Sequence, residues 1–304
     1  MPRIEAFGAR LAAAVEARQS QVVVGIDPDP DRLWPAAASR ADEARALMQV
    51  PAGDPRFDTA AAVLAHALAL IDAAAPACVA AKPQHAFFEQ LGFAGWLALE
   101  HVCAHARAAG LLVIADAKRG DVPSTAAAYS RALTGPAPPG LAADAITANP
   151  LMGRDALEPL LAGARERGAG VFVLVRTSNP GAADVLDLEL AGGGALWERL
   201  AGMTAELGRG EPLTDVGAVT GATAPEHLAR MRELMPHTPF LLPGIGAQGG
   251  DVGALAPAFA PGRAAGLVSA SRSIAGAGEA RGGDPARAAR AEAERLRETA
   301  WNLV

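Results

Sequence analysis

Several short apolar runs in this chain end in charge. Residues 22–26 lead into Asp27, residues 78–81 into Lys82, and residues 111–115 into Asp116-Ala117-Lys118-Arg119-Gly120-Asp121. Asp116 and Lys118 are two apart, so on an extended strand both project to one side. Gly120 permits a sharp turn that would swing Asp121 in another direction. Two carboxylates and two ammonium groups at one mouth form an alternating charge array. An oriented ammonium there could steady developing negative charge and then supply a proton. Rim salt bridges account for any one of these residues, but less well for all four, because burying charge without a purpose is expensive.

A second signal lies near the C-terminus. Pro243-Gly244-Ile245-Gly246-Ala247-Gln248-Gly249-Gly250 and Ser271-Arg272-Ser273-Ile274 each follow an apolar run. Gly244 and Gly246 would let backbone N–H groups approach an anion, and a following helix N-terminus adds a favourable dipole. Arg272 supplies a bidentate fork, so a phosphorylated ligand is expected here.

The elements that must position these groups repeat along the chain. Candidate strands are residues 22–26, 78–82, 111–116, 143–147, 170–176, 216–219, 240–243 and 266–270. Helical stretches are read at 59–74, 92–109, 122–133, 154–167, 195–207, 225–235, 249–256 and 285–303. The strands are continuously apolar, as in a parallel sheet covered on both faces. Eight strand–helix alternations predict a single (β/α)8 TIM barrel over residues 1–304, with polar strand ends facing the active-site mouth. A doubly wound sheet is the rival, but no GxGxxG follows the first strand. Residues 28–57 carry five prolines and read as an insertion: a lid, a rim element or irregular helix.

Composition narrows the function classes. Twenty-seven Lys plus Arg against 33 Asp plus Glu give a net charge of -6, which argues against a nucleic-acid protein. Only Cys78 and Cys103 occur, which excludes a disulfide framework and fits a reducing cytoplasm. The first residues lack the apolar stretch of a signal peptide, and no apolar run is expected to span a membrane. His101 and His105 stand four apart on a helix, but read as a solvated face rather than a zinc site.

Taken together, the blocks resemble the orotidine 5'-phosphate decarboxylase family. Asp116-Ala-Lys118-Arg-Gly-Asp121-Val122 is similar to its DxKxxD-[IV] signature. Gly25-Ile-Asp27-Pro, Ala81-Lys82-Pro83-Gln84, the segment 243–250 and Ser271-Arg272-Ser273-Ile274 match its other blocks in order. The 28–57 insertion and Arg176-Thr177-Ser178-Asn179-Pro180-Gly181 resemble its longer, type 2 branch. The resemblance implies conversion of orotidine 5'-monophosphate to uridine 5'-monophosphate without metal or organic cofactor, in a homodimer. It implies that Lys118 protonates C6, that Asp116 faces the departing carboxylate, and that Lys82 and Asp121 complete the array. Asp121 and Thr125 would serve the partner's site. Asp27 and Lys82 would touch ribose hydroxyls, and Ser178 the pyrimidine. Pro243, Gly244, Gly246, Gln248 and Arg272 would surround the phosphate.

Three rivals share parts of the pattern. A magnesium-dependent phosphosugar decarboxylase such as 3-keto-gulonate-phosphate decarboxylase has a similar DxKxxD block. It needs an acidic metal ligand where Lys82 stands, and that ammonium would repel a divalent cation. A flavin-dependent barrel oxidoreductase would use the same phosphate site. A non-catalytic phosphate-binding barrel would not need the four charged residues.

Overall fold

The computed structural model describes residues 4–50, 53–136, 140–222, 225–245, 249–281 and 283–304. Eight parallel strands close in sequence order: β1 (Val22–Ile26), β2 (Ala80–Pro83), β3 (Leu112–Arg119), β4 (Ala145–Ala148), β5 (Gly170–Arg176), β6 (Val216–Thr220), β7 (Phe240–Leu242) and β8 (Gly266–Ala270). β8 returns to pair with β1, Val22 opposite Val268, so the sheet has no free edge. The expected (β/α)8 barrel is therefore the observed one. Apolar residues fill both faces of the strands, as continuous burial of β1, β6 and β8 shows.

Two apolar layers result. Inside the barrel, Val23, Ile114, Phe172, Leu241 and Leu267 pack together, while a larger layer joins the outer strand faces to the helices. A helix at Phe7–Arg18, not expected from the sequence, covers the N-terminal end of the barrel. Its Phe7, Leu11 and Val15 recur at helical spacing on one buried face. Phe7 meets Phe172 edge to face, with centroids 5.8 Å apart. This floor closes the N-terminal end of the barrel interior.

The described residues of the 28–57 segment are turns and short helix. They form 3-10 turns at Pro30–Arg32 and Pro35–Arg40 and a helix at Ala41–Met48, after which the helix read at 59–74 begins earlier, at Pro55. Buried Trp34 anchors the segment, donating from its amide to His66 Nδ1 (3.0 Å) and from Nε1 to the Ala275 carbonyl (2.8 Å). Contrary to expectation, the stretch Phe57–Ala77 is long and apolar enough to cross a membrane, with mean hydropathy 1.7. Most of it is buried in the outer layer, the ordinary environment of a core helix. The 249–256 helix is instead a 3-10 segment at Val252–Phe259, containing Pro257.

Two buried histidines give the fold a pH dependence. Burial lowers His66 to about 4, and protonating its Nδ1 would also break the bond from Trp34. Burial, aided by Arg119, Lys118 and Lys82 and opposed by Asp116, lowers His85 to about 4; Glu89 Oε1 stands 3.8 Å from its Nδ1. Between about pH 6.5 and 4 the unfolded chain therefore binds protons that the folded chain refuses, and stability falls as pH falls. Denaturant midpoints should drop across that window, by on the order of a few kcal/mol in all, and His85→Phe should flatten the drop. A midpoint constant across the window would contradict this.

Candidate active site

At the C-terminal ends of the strands lies a cavity of about 370 Å³. It brings together Asp27 from the end of β1, Lys82 from β2, Asp116 and Lys118 from β3, and Ser178 beyond β5. Pro243 and Gly244 follow β7, and Arg272 follows β8. Eight of the residues singled out from the sequence thus line one cavity. Gly246 and Gln248 lie outside the described residues.

Asp116 is its centre. Lys82 Nζ donates to Oδ2 at 2.5 Å, and Lys118 Nζ donates to Oδ1 at 2.6 Å. Gln84 Nε2 also donates to Oδ2 (3.1 Å), and Thr147 Oγ1 to Oδ1 (3.0 Å). Burial works against ionising Asp116, but the two lysines and their hydrogen bonds outweigh it and hold its carboxyl well below the usual carboxylate range. Burial likewise opposes charge on Lys82, yet Asp116 and Asp27 raise its pKa above the ordinary value. Asp116 and Lys82 are therefore both held in their charged forms at neutral pH. Asp27 lines the cavity, and its Oδ1 is buried without a hydrogen-bond partner among the described residues.

The pleat is not what joins Asp116 to Lys118. Ala115 pairs with Ile146 and Arg119 with Ala148, so Asp116, Ala117 and Lys118 together stand opposite the single residue Thr147. This is a bulge. Within it Lys118 adopts a left-handed backbone, φ +49°, a conformation costing a non-glycine residue about 1–3 kcal/mol. Gly120 is also not the hinge expected of it. A Cβ there would stand 2.5 Å from the Asn149 carbonyl oxygen, so glycine is required by close approach, and the left-handed residue is Lys118. Gly244 does need its freedom, at φ +103°.

Asp121 and Thr125 do not line the cavity of their own chain. Asp121 Oδ1 accepts from the Val122 amide at 2.7 Å, and Thr125 lies in the helix Pro123–Thr134. Sequence reading passed over Thr147, and quoted Gln84 without a role. Screening strand ends for charge alone overlooks neutral donors; asking which ends carry a hydroxyl or amide would have found both. His105 Nε2 meets Asp72 Oδ1 at 2.5 Å, and Arg40 pairs with the other oxygen of the same carboxylate. Cys78 and Cys103 are buried, and burial pushes both thiols up to about 12.

Comparison with known proteins agrees with this geometry. A sequence model described as the orotidine 5'-phosphate decarboxylase / HUMPS family matches residues 20–291. An orotidine 5'-phosphate decarboxylase of Halorubrum lacusprofundi is 44% identical over 278 residues, spanning 90% of this chain and 88% of its own. One from Rhodopirellula baltica is 40% identical over 275 residues, spanning 88% and 87%. The solved OMP decarboxylase of Leishmania donovani superposes with a TM-score of 0.68 at 31% identity, covering 97% of this chain and 99% of its own. Likeness of this extent, reaching from before β1 to beyond β8, makes this chain a member of the orotidine 5'-phosphate decarboxylase / HUMPS family.

Proposed function

We propose that this chain is a carboxy-lyase converting orotidine 5'-monophosphate to uridine 5'-monophosphate and CO2, the decarboxylation of pyrimidine nucleotide biosynthesis. The observation that carries the reading is the lysine-flanked Asp116 at the cavity's centre. When the C6–carboxylate bond breaks, its electron pair stays on C6, where no adjacent carbonyl can take it up. Lys118 stabilises that charge and transfers an Nζ proton to C6; solvent then reprotonates the lysine. Asp116 sits against the substrate carboxylate, and contacts to the remote phosphate offset the cost of holding like charges together. Arg272 and the Gly244 backbone bind that phosphate, with Gly246 and Gln248. Ser178 meets the pyrimidine. Asp27, with its unpartnered oxygen, and Lys82 accept and donate toward the ribose hydroxyls.

The site is completed in a homodimer, with Asp121 and Thr125 reaching the partner's ligand. Their position outside their own cavity supports this. So do Val122, Leu151 and Met152, exposed at 47%, 82% and 49% beyond the neighbouring strands β3 and β4. A cytoplasmic enzyme without metal or cofactor fits two thiols outside any disulfide and an ammonium where a metal-dependent relative needs a carboxylate.

Loss of orotidine-phosphate absorbance on adding the purified protein in EDTA tests the proposal. Turnover at the same rate with and without chelator is expected. A chelator-sensitive rate restored by magnesium would favour the metal-dependent phosphosugar reading, and visible absorbance from bound flavin the oxidoreductase one.

A further inference from the structure

The bulge that places Lys118 leaves a backbone problem. Three residues of β3 face one residue of β4, so the Lys118 amide is taken off the regular strand ladder. A backbone N–H taken out of the ladder needs another acceptor. Thr147, fully buried on β4, supplies it: Lys118 N donates to Thr147 Oγ1 at 2.9 Å. The same hydroxyl has one proton to give, and it donates that proton to Asp116 Oδ1 at 3.0 Å. Asp116 Oδ1 is in turn the oxygen that receives Lys118 Nζ. One hydroxyl therefore closes a ring through the lysine's backbone, the aspartate and the lysine's ammonium. Valine has the same shape and could do neither.

We infer that Thr147 is a positioning residue for the proton donor, its hydroxyl standing in for the ladder partner lost at the bulge and holding Lys118 and Asp116 in one frame. The inference rests on the decarboxylase reading of this cavity. Thr147 acts through Lys118, and the phosphate contacts lie on other strands, so it governs the chemical step rather than substrate capture.

The test compares Thr147→Val and Thr147→Ser with the wild-type protein. Thr147→Val should lower kcat roughly ten- to a hundredfold, the scale of a small misplacement of a reacting group. KM and the Kd for uridine 5'-monophosphate should stay within about twofold. Thr147→Ser keeps the hydroxyl and should restore most of kcat. Amide hydrogen exchange at Lys118 should quicken in the valine variant and not in the serine one. Equal losses in both variants would overturn the inference, because the methyl group rather than the hydroxyl would then matter. So would a parallel loss of kcat, nucleotide affinity and thermal stability, or a valine variant with unchanged kcat. A wild-type protein that leaves the substrate intact would sink the decarboxylase reading instead. Lys118 exchange would still decide the anchor, and unchanged exchange in Thr147→Val would refute it.

Discussion

Lys118→Ala should lower decarboxylation by about a thousandfold or more while uridine 5'-monophosphate still binds. In the mechanism proposed above the lysine has two tasks in succession, offsetting the charge that builds on C6 and delivering the proton that ends it. Water is a poor substitute, because no solvent dipole is held in advance at that point. Binding should survive because the proposed phosphate contacts follow β7 and β8, across the cavity from β3. The fold survives because Lys118 is part-exposed, and alanine meets the same left-handed backbone with no added strain. A steady-state assay with a titration of the product checks both halves. If the variant keeps more than about a tenth of wild-type turnover, Lys118 is not the proton donor.

Mixing two dead proteins should produce a live one. If Asp121 serves the neighbouring site while Lys118 serves its own, Lys118→Ala and Asp121→Ala homodimers are each nearly inactive. In a mixed dimer both defects fall on one site. The other site pairs an intact Lys118 with an intact Asp121. Random assortment makes about half the dimers mixed, so about a quarter of all sites should recover in a two-fold symmetric dimer. Co-refolding the variants and assaying decarboxylation measures this. No recovery, with mixed dimers demonstrated by size and mass, would return Asp121 to its own subunit's site.

How legible the molecule was in its sequence depended on the kind of signal. β1, β5 and β8 stand where the apolar runs 22–26, 170–176 and 266–270 placed them, because charge or glycine bounds each run. β2 begins two residues late: the Cys78 amide closes the turn after the preceding helix onto Ala75, while Val79, just outside the strand, already donates to Val22 and accepts from Leu112. β3 extends three residues past the expected strand end at 116, because the bulge carries charged residues that no hydropathy pattern assigns to a sheet. The charged members of the site were readable for the same reason, as costly residues at strand ends. Thr147 was not, since a buried threonine is unremarkable until the bulge opposite it is known. The N-terminal helix left a usable trace in the four-residue spacing of Phe7, Leu11 and Val15, in a segment where no element was expected.

The closure of β8 onto β1 also sets an order of events at the ribosome. Val22 and Val24 cannot find their partners Val268 and Ala270 until nearly the whole chain has been made. At roughly 5–20 residues per second, the outer side of β1 waits on the order of tens of seconds for the strand that covers it. Until then Val22-Val23-Val24-Gly25-Ile26 presents an unpaired, apolar strand margin, the kind that recruits foreign strands. Phe7 waits too, for Phe172 on β5. The nascent chain therefore passes a long interval in which its earliest strand lacks the partner that will cover it and its last one is unmade.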